Sequence, residues 1–155
     1  MNLCKGFRIT TSLPSPTLQS AIQRSEVHFR GLLRKQSQLD GTCLGDIPIS
    51  IKSSDETLTM ETDYSYSIST SQGTAAVHAM TVYGAMYALE TLLQLAADGA
   101  LQDAMKIVDS PDYSWRGLMV DSGRRFFPVP LLKDLMDTMA AVKMNVRMFL
   151  SFSLI

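Results

Sequence analysis

The sequence has no excess of charge of either sign and no long apolar run. It holds 14 basic and 15 acidic side chains, a formal net charge of −1 over 155 residues. This balance lacks the electrostatic footprint of a protein that binds nucleic acid or an anionic membrane surface. No apolar stretch is long enough to span a bilayer. We therefore expect neither nucleic acid nor a membrane as a partner.

The start of the chain lacks a secretory signal, because no apolar run follows the lysine and the arginine within residues 1–10. Taken literally, such a chain stays in the cytosol. In a piece of a longer precursor, which is the interpretation we favour, the missing signal means nothing. The localisation therefore stays open.

Cysteine and histidine are scarce. Cys4 and Cys43 make neither a disulfide framework nor a zinc site. They could pair, although two unpaired thiols are the expected state. His28 and His78 are isolated in the sequence, so we expect surface or edge positions rather than metal ligands. The sequence predicts no metal and no cofactor.

The composition, 46% apolar and 19% charged, is typical of a globular protein with a sizeable core. Apolar residues at helical spacing predict a first helix, with Ser15 as its N-cap and Pro16 at its first position. A second stripe at helical spacing predicts a helix over residues 82–96, which Asp98 and Gly99 end.

Between the two helices, the Asp-Gly pair at 40–41 predicts a turn, and three short segments then predict strands. Residues 47–51 alternate, but Pro48 indicates an edge strand. Residues 64–68 and 77–79 flank a Ser-Gln-Gly turn and predict a hairpin. We predict an α+β small domain over residues 1–108, an antiparallel sheet with helices on one face.

A second pattern begins after the turn-rich residues 109–112. The apolar run Gly117–Asp121 predicts a strand buried on both faces. Pro128 opens a predicted helix, and residues 148–150 form another apolar run. Strand, helix and strand with short joints predict one parallel βαβ unit over residues 109–155.

This second unit carries a recognisable motif. Residues 115–129 (WRGLMVDSGRRFFPV) are similar to the first barrel strand and loop of glycoside hydrolase family 20, the β-N-acetylhexosaminidases. Residues 137–146 (DTMAAVKMNV) resemble the family's first barrel helix and second strand, and residues 81–95 (TVYGAMYALETLLQL) resemble the last helix of its small domain. The resemblance implies that residues 109–155 are the first βαβ unit of an incomplete (β/α)8 TIM barrel.

The resemblance also implies an activity, the removal of terminal β-linked N-acetylglucosamine or N-acetylgalactosamine. In this family the substrate's own acetamido oxygen is the nucleophile. An adjacent aspartate-glutamate pair on a later strand orients that group and protonates the leaving oxygen. The pair is absent here, so we assign no catalytic residue. Glycans ending in N-acetylhexosamine, and a possible dimer, are then partners of the parent enzyme, which in this family is secreted or lysosomal.

The family's sugar-gripping arginine matches Arg124, which follows the strand at the barrel mouth. A planar guanidinium suits two neighbouring hydroxyls. The alternative is a salt bridge between Arg124 and Asp121 that only braces the rim. Asp121 is expected to hold the loop by accepting backbone N–H bonds. Arg125 stands where the family usually has histidine, and we assign it no substrate contact.

The family pattern ends abruptly after Val146, because residues 147–155 (RMFLSFSLI) contain neither histidine nor acid. We therefore interpret the chain as an amino-terminal fragment of a hexosaminidase, inactive alone. A second interpretation is a non-catalytic binding or regulatory module that docks on a full-length hexosaminidase. The third, an unrelated α/β domain, is disfavoured by two motifs in the correct order.

Overall fold

The computed structural model describes residues 1–34 and 43–150. The chain divides into two compact units, Met1–Pro111 and Asp112–Ile155. The predicted turn at residues 40–41 and the last part of the divergent tail lie outside the described residues. The assignment of domains to residues 1–108 and 109–155 stays a prediction.

The first unit contains five strands and two helices, and the second contains two strands and one helix. In the first unit these are β1 (Asn2–Thr11), α1 (Pro16–Leu33), β2 (Cys43–Ile51), β3 (Tyr66–Ser71), β4 (Thr74–Ala79), α2 (Val82–Ala97) and β5 (Lys106–Asp109). In the second they are β6 (Gly117–Asp121), α3 (Val129–Ala141) and β7 (Val146–Leu150).

The sheet of the first unit is mixed, with the strand order β1-β2-β4-β3-β5. β1, β2 and β4 are parallel, whereas β3 pairs antiparallel with both β4 and β5. The expectation of an antiparallel sheet was therefore wrong for two of the four strand pairs, β1 with β2 and β2 with β4. The physical reason is α1, which returns the chain to the end of the sheet where β1 began, so that β2 runs parallel to β1.

β2 is an interior strand, so the prediction that Pro48 marks a sheet edge was wrong. β1, which the sequence analysis did not predict, pairs with β2 on one side and places Thr10 opposite Pro48. β4 pairs on the other side, at Ile49 among other positions. Proline removes only one backbone donor, and the pairing continues on both sides of it.

The predicted helix starts are confirmed. The Ser15 side chain accepts a hydrogen bond from the backbone N–H of Leu18 at 2.9 Å, and Pro16 is the first helical residue. Thr81 caps α2 in the same way, by accepting from Gly84 N at 3.3 Å. Both caps satisfy backbone N–H groups that a helix start leaves without partners.

The predicted hairpin is also confirmed. β3 and β4 are joined by Gln72 and Gly73, both with positive φ (48° and 77°). Two positive φ values in a two-residue loop match the right-handed twist of the paired strands. α2 ends where predicted, with Asp98 as its C-cap and Gly99 at φ 67°.

The core of the first unit lies between the sheet and its two helices, which contact each other. The fully buried large side chains come from both helices, from the strands and from the segment after α2: Leu18, Phe29, Leu44, Ile47, Ile68, Val77, Val82, Leu89, Leu92 and Leu101. Both helices therefore cover one face of the sheet, as predicted.

Cys4 and Cys43 form a disulfide, with their Cα atoms 5.1 Å apart. The expectation of two unpaired thiols was wrong. Parallel pairing of β1 with β2 places Asn2 opposite Cys43 and brings the two cysteines within bonding reach. Without β1, no local signal in the sequence places the two cysteines together.

The second unit is the predicted parallel βαβ unit. β6 and β7 pair in parallel from Gly117 opposite Val146 to Asp121 opposite Leu150. β6 was predicted to be buried on both faces, yet Met119 in its middle is 60% exposed. The reason is that, within the described part of this unit, one strand and one helix are all that covers β6.

Candidate functional site

The loop that follows β6, residues 121–125, carries the predicted site residues. Asp121 is the last residue of β6, so the loop begins at the carboxyl end of a parallel strand. One oxygen of the Asp121 carboxylate, Oδ1, accepts the backbone N–H groups of Gly123 and Arg124, each at 3.1 Å. These two bonds hold the loop in a tight turn directly over the strand end.

The same loop is fixed to the neighbouring strand through one carbonyl. The backbone oxygen of Leu150, at the end of β7, accepts the N–H groups of Ser122 and Gly123 at 3.0 Å each. The Ser122 hydroxyl donates to that oxygen as well, at 3.2 Å. Backbone N–H groups from three successive residues of the loop, 122–124, are therefore satisfied by groups of β6 and β7.

Arg124 and Asp121 form an ion pair in which the guanidinium Nε donates to carboxylate Oδ2. The Arg124 side chain is 78% exposed and that of Asp121 only 19%. Among the described residues, the two terminal amino groups of Arg124 have no partner. The salt bridge therefore exists, and it leaves hydrogen-bond donors of the guanidinium directed to solvent. Substrate contact by Arg124 stays a prediction.

The electrostatics of the loop are those of an ionised carboxylate. The Arg124 side chain, followed by the backbone N–H groups of Arg124 and Gly123, lowers the pKa of Asp121 below its usual value. Asp121 is therefore charged at neutral pH and has no proton to donate to a leaving group. It fits an orienting or structural role.

Sequence reasoning missed a second set of contacts, at the opposite end of β6. The backbone N–H of Arg116 donates to Asn145 Oδ1 at 2.9 Å, and Arg116 Nε donates to the carbonyl of Lys143 at 2.9 Å. Asn145 Nδ2 donates to the carbonyl of Ser114 at 2.7 Å. These bonds join the starts of β6 and β7 and so set the register that positions the 121–125 loop at the other end.

An adjacent acidic pair that was not predicted as a site, Asp55-Glu56, lies in the segment between β2 and β3. Glu56 Oε2 accepts the Thr17 hydroxyl at 2.5 Å, at the start of α1. Hydrogen bonds from Ser15 and then Thr17 lower the pKa of Glu56, and bonds from Thr57 lower that of Asp55. Both carboxyls are therefore ionised near neutral pH, whereas a general acid needs a raised pKa.

His28 and His78 are exposed, as predicted. Within residues 1–34 and 43–150, three or more potential metal ligands never come together. None of the helices in this same part of the chain is long and apolar enough to cross a membrane.

Comparison with protein families matches both units. Residues 9–95 match the family described as beta-acetyl hexosaminidase like, and residues 113–149 match "Glycosyl hydrolase family 20, catalytic domain". The second match continues through Phe149, so the family pattern extends three residues beyond Val146, where the sequence analysis placed its end.

Individual relatives agree with these families. Beta-hexosaminidase subunit A2 of Dictyostelium discoideum is 32% identical over 145 residues, covering 90% of this chain and 27% of that protein. Subunit A1 of the same organism is 40% identical over 104 residues, covering 64% of this chain and 20% of its own length. The chain therefore spans about a quarter of the length of these relatives.

Among solved structures, the chitobiase of Flavobacterium johnsoniae is similar, with a TM-score of 0.77 and 29% identity. The similarity covers 96% of this chain and 24% of the chitobiase.

Proposed function

This chain belongs to glycoside hydrolase family 20, and on that premise we propose that it is part of an enzyme that removes terminal β-linked N-acetylglucosamine or N-acetylgalactosamine. The hydrolysis would be substrate-assisted, with the acetamido oxygen of the sugar as nucleophile. Residues 1–108 would be the small domain and residues 109–155 the first βαβ unit of the TIM barrel. The parallel pairing of β6 with β7 supports this assignment.

The observation that carries the proposal is the position of Arg124. Active sites of parallel α/β barrels lie at the carboxyl ends of the strands, and Arg124 lies three residues after the end of β6. Its Nε is held by Asp121, which restricts the guanidinium, and its exposed terminal amino groups are suited to donate to two sugar hydroxyls. In this role Asp121 is a positioning residue and Arg124 binds the substrate.

We further propose that this chain alone does not hydrolyse glycosides. A general acid near the leaving oxygen is required, but Asp121 is ionised and the Asp55-Glu56 carboxyls are engaged in bonds that lower their pKa values. Incubation with an aryl N-acetyl-β-glucosaminide, beside an intact hexosaminidase as positive control, should give no release of the aryl group. Turnover that copurified with the chain would overturn this part of the proposal.

Sugar binding is tested separately, by titrating the isotope-labelled chain with N-acetylglucosamine and following amide shifts of the 121–125 loop. Arg124→Ala should weaken binding by about tenfold, because charged hydrogen bonds to the sugar are lost. Arg125→Ala is the matched control, a neighbouring arginine to which we assign no contact. Equal effects of the two substitutions, or shifts elsewhere only, would refute the role of Arg124.

A second function has one observation in its favour. Apolar side chains of β6 and β7 are exposed, with Met119 at 60% and Met148 at 47%. Exposed apolar patches of this kind mark interaction sites, so a module that docks on a full-length hexosaminidase is the alternative. Copurification with an intact hexosaminidase, lost on Met119→Lys and kept with Lys133→Gln, would favour it.

A further inference from the structure

Within the described part of the first unit, α1 and α2 cover one face of the five-stranded sheet, and we call the opposite face the open face. In β2, β3 and β4 most residues that point to the helices are buried and the others point away, and the pairing of β1 and β5 with these strands identifies which of their residues share each face. By this alternation the open face comprises the following residues, including Lys52 and Ser65, which directly adjoin β2 and β3: Arg8, Thr10, Asp46, Pro48, Ser50, Lys52, Ser65, Ser67, Ser69, Ser71, Thr74, Ala76, His78, Lys106 and Val108.

Hydroxyl groups dominate the open face. Seven of these residues are serine or threonine, and four of the serines occupy alternate positions along or beside β3. Of the residues on the open face, Val108 is the one large apolar residue, and its exposed fraction is 73%. None of the residues on this face is aromatic. A surface without exposed aromatic rings does not bind neutral sugars by stacking, and a single exposed large apolar side chain does not make a hydrophobic docking site.

The charge of the open face is positive. Its one carboxylate, Asp46, is paired with Arg8 at 3.0 Å. Lys52 and Lys106 are exposed and His78 lies between their strands. The chain as a whole has a net charge of −1, so the positive charge is a local property of this face.

These groups follow a diagonal across four strands. The pairing places His78 directly between Ser50 and Ser67, with Lys52 two residues beyond Ser50. Lys106 is opposite Ser69 on the far side of β3. From the usual strand spacing and rise, the two lysines lie about 20 Å apart. A shallow groove of about 510 Å³ lies along part of this diagonal, and Ser50, Lys52, Ser67 and His78 are among its lining residues.

We propose that the open face binds an anionic glycan chain that carries sulfate esters. The choice of a glycan rests on the proposed function. The choice of sulfate follows from the donors. Carboxylates are matched best by the planar fork of arginine, but Arg8 is already paired. Ammonium, imidazole and hydroxyl groups lack this fork and donate from single atoms, which suits the three terminal oxygens of a sulfate ester.

The test is a titration of the isotope-labelled full chain with a sulfated chondroitin oligosaccharide, and a second titration with the unsulfated oligosaccharide for comparison. We expect amide shifts confined to β2, β3, β4 and β5, binding that weakens as salt is raised, and little binding of the unsulfated form. The double substitution Lys52→Gln/Lys106→Gln should weaken binding by about tenfold. Lys133→Gln, on α3, is the matched control and should leave binding unchanged.

Three results would overturn the inference. These are shifts outside the open face, equal binding of the unsulfated oligosaccharide, and equal or tighter binding of a single-stranded oligonucleotide. The last would mean a general polyanion surface rather than a glycan site. Failure of the Arg124 titration with N-acetylglucosamine would contradict the proposed function instead, and because its shifts fall in the second unit, the two failures are distinguishable.

Discussion

Gly84→Ala should destabilise the first unit, although alanine is the better helix former. Gly84 lies in the first turn of α2, where a Cβ atom would come within 2.7 Å of the Ser65 carbonyl oxygen and 3.2 Å of the Tyr64 carbonyl carbon. That backbone cannot easily move. The Ser65 carbonyl accepts the N–H of Met80 at 3.1 Å, and the Tyr64 ring stacks on Tyr87 with centroids 5.2 Å apart.

The magnitude follows from two opposing terms. Forcing a methyl group into packed backbone costs about 1–3 kcal/mol, and the gain in helix propensity returns at most about 1 kcal/mol. We expect the free energy of unfolding to fall by about 1–2 kcal/mol. In urea, followed by far-ultraviolet circular dichroism of the full chain, the midpoint should move about 0.5–1 M lower.

Gly31→Ala is the matched control, since Gly31 is also helical and a Cβ there meets nothing within 4 Å. It should raise the free energy of unfolding by about 0.5–1 kcal/mol. The two substitutions are chemically the same and should shift the midpoint in opposite directions. If Gly84→Ala also raised the midpoint, the close approach of α2 to residues 64–65 would be refuted.

Two further predictions concern the disulfide and the 121–125 loop. Cys4→Ser/Cys43→Ser should lower the free energy of unfolding by about 4 kcal/mol, the chain-entropy value for a sequence separation of 39, and a reductant should then have no further effect on the urea midpoint. Arg124→Ala should raise the pKa of Asp121 toward its ordinary value of 3.8, measured by carbon NMR of the carboxyl, whereas Arg125→Ala should not. Since the pKa of Asp121 is lowered in the folded state, its ionised carboxylate stabilises the fold above pH 3.8, and this stabilisation is lost as the pH falls below that value. A loss of this stabilisation when the pH is raised would contradict the prediction.

Elements with local signals could be predicted from the sequence. The caps of α1 and α2 and the turn at Gln72 and Gly73 are determined by residues next to one another. β1 gave no such signal, because its pairing with β2 shifts register between Leu3 and Arg8 and the irregularity interrupts the alternation of apolar residues. Without β1, neither the parallel pairing nor the disulfide could be predicted.

The same distinction between local signals and contacts of distant residues applies to the candidate site. Asp121 and Arg124 lie three residues apart on one loop, so their sequence motif was sufficient to single them out. The bonds of Arg116 to Asn145 and Lys143 join residues 27–29 positions apart. They depend on which residues of β6 and β7 stand opposite each other, and no spacing within either segment specifies that.

The disulfide between neighbouring parallel strands also has a consequence during protein synthesis. Cys4 leaves the ribosome 39 residues ahead of Cys43, which at about 5–20 residues per second is a delay of about 2–8 s. During that interval Cys4 has no Cys43 with which to form the disulfide, and the nascent β1 has no β2 with which to pair. Because the chain has only two cysteines, oxidation within it can give one pairing alone. Within these 155 residues an erroneous pairing must therefore join two chains, so a covalent dimer that reductant dissolves is the misfolded product to expect when this chain is produced by itself.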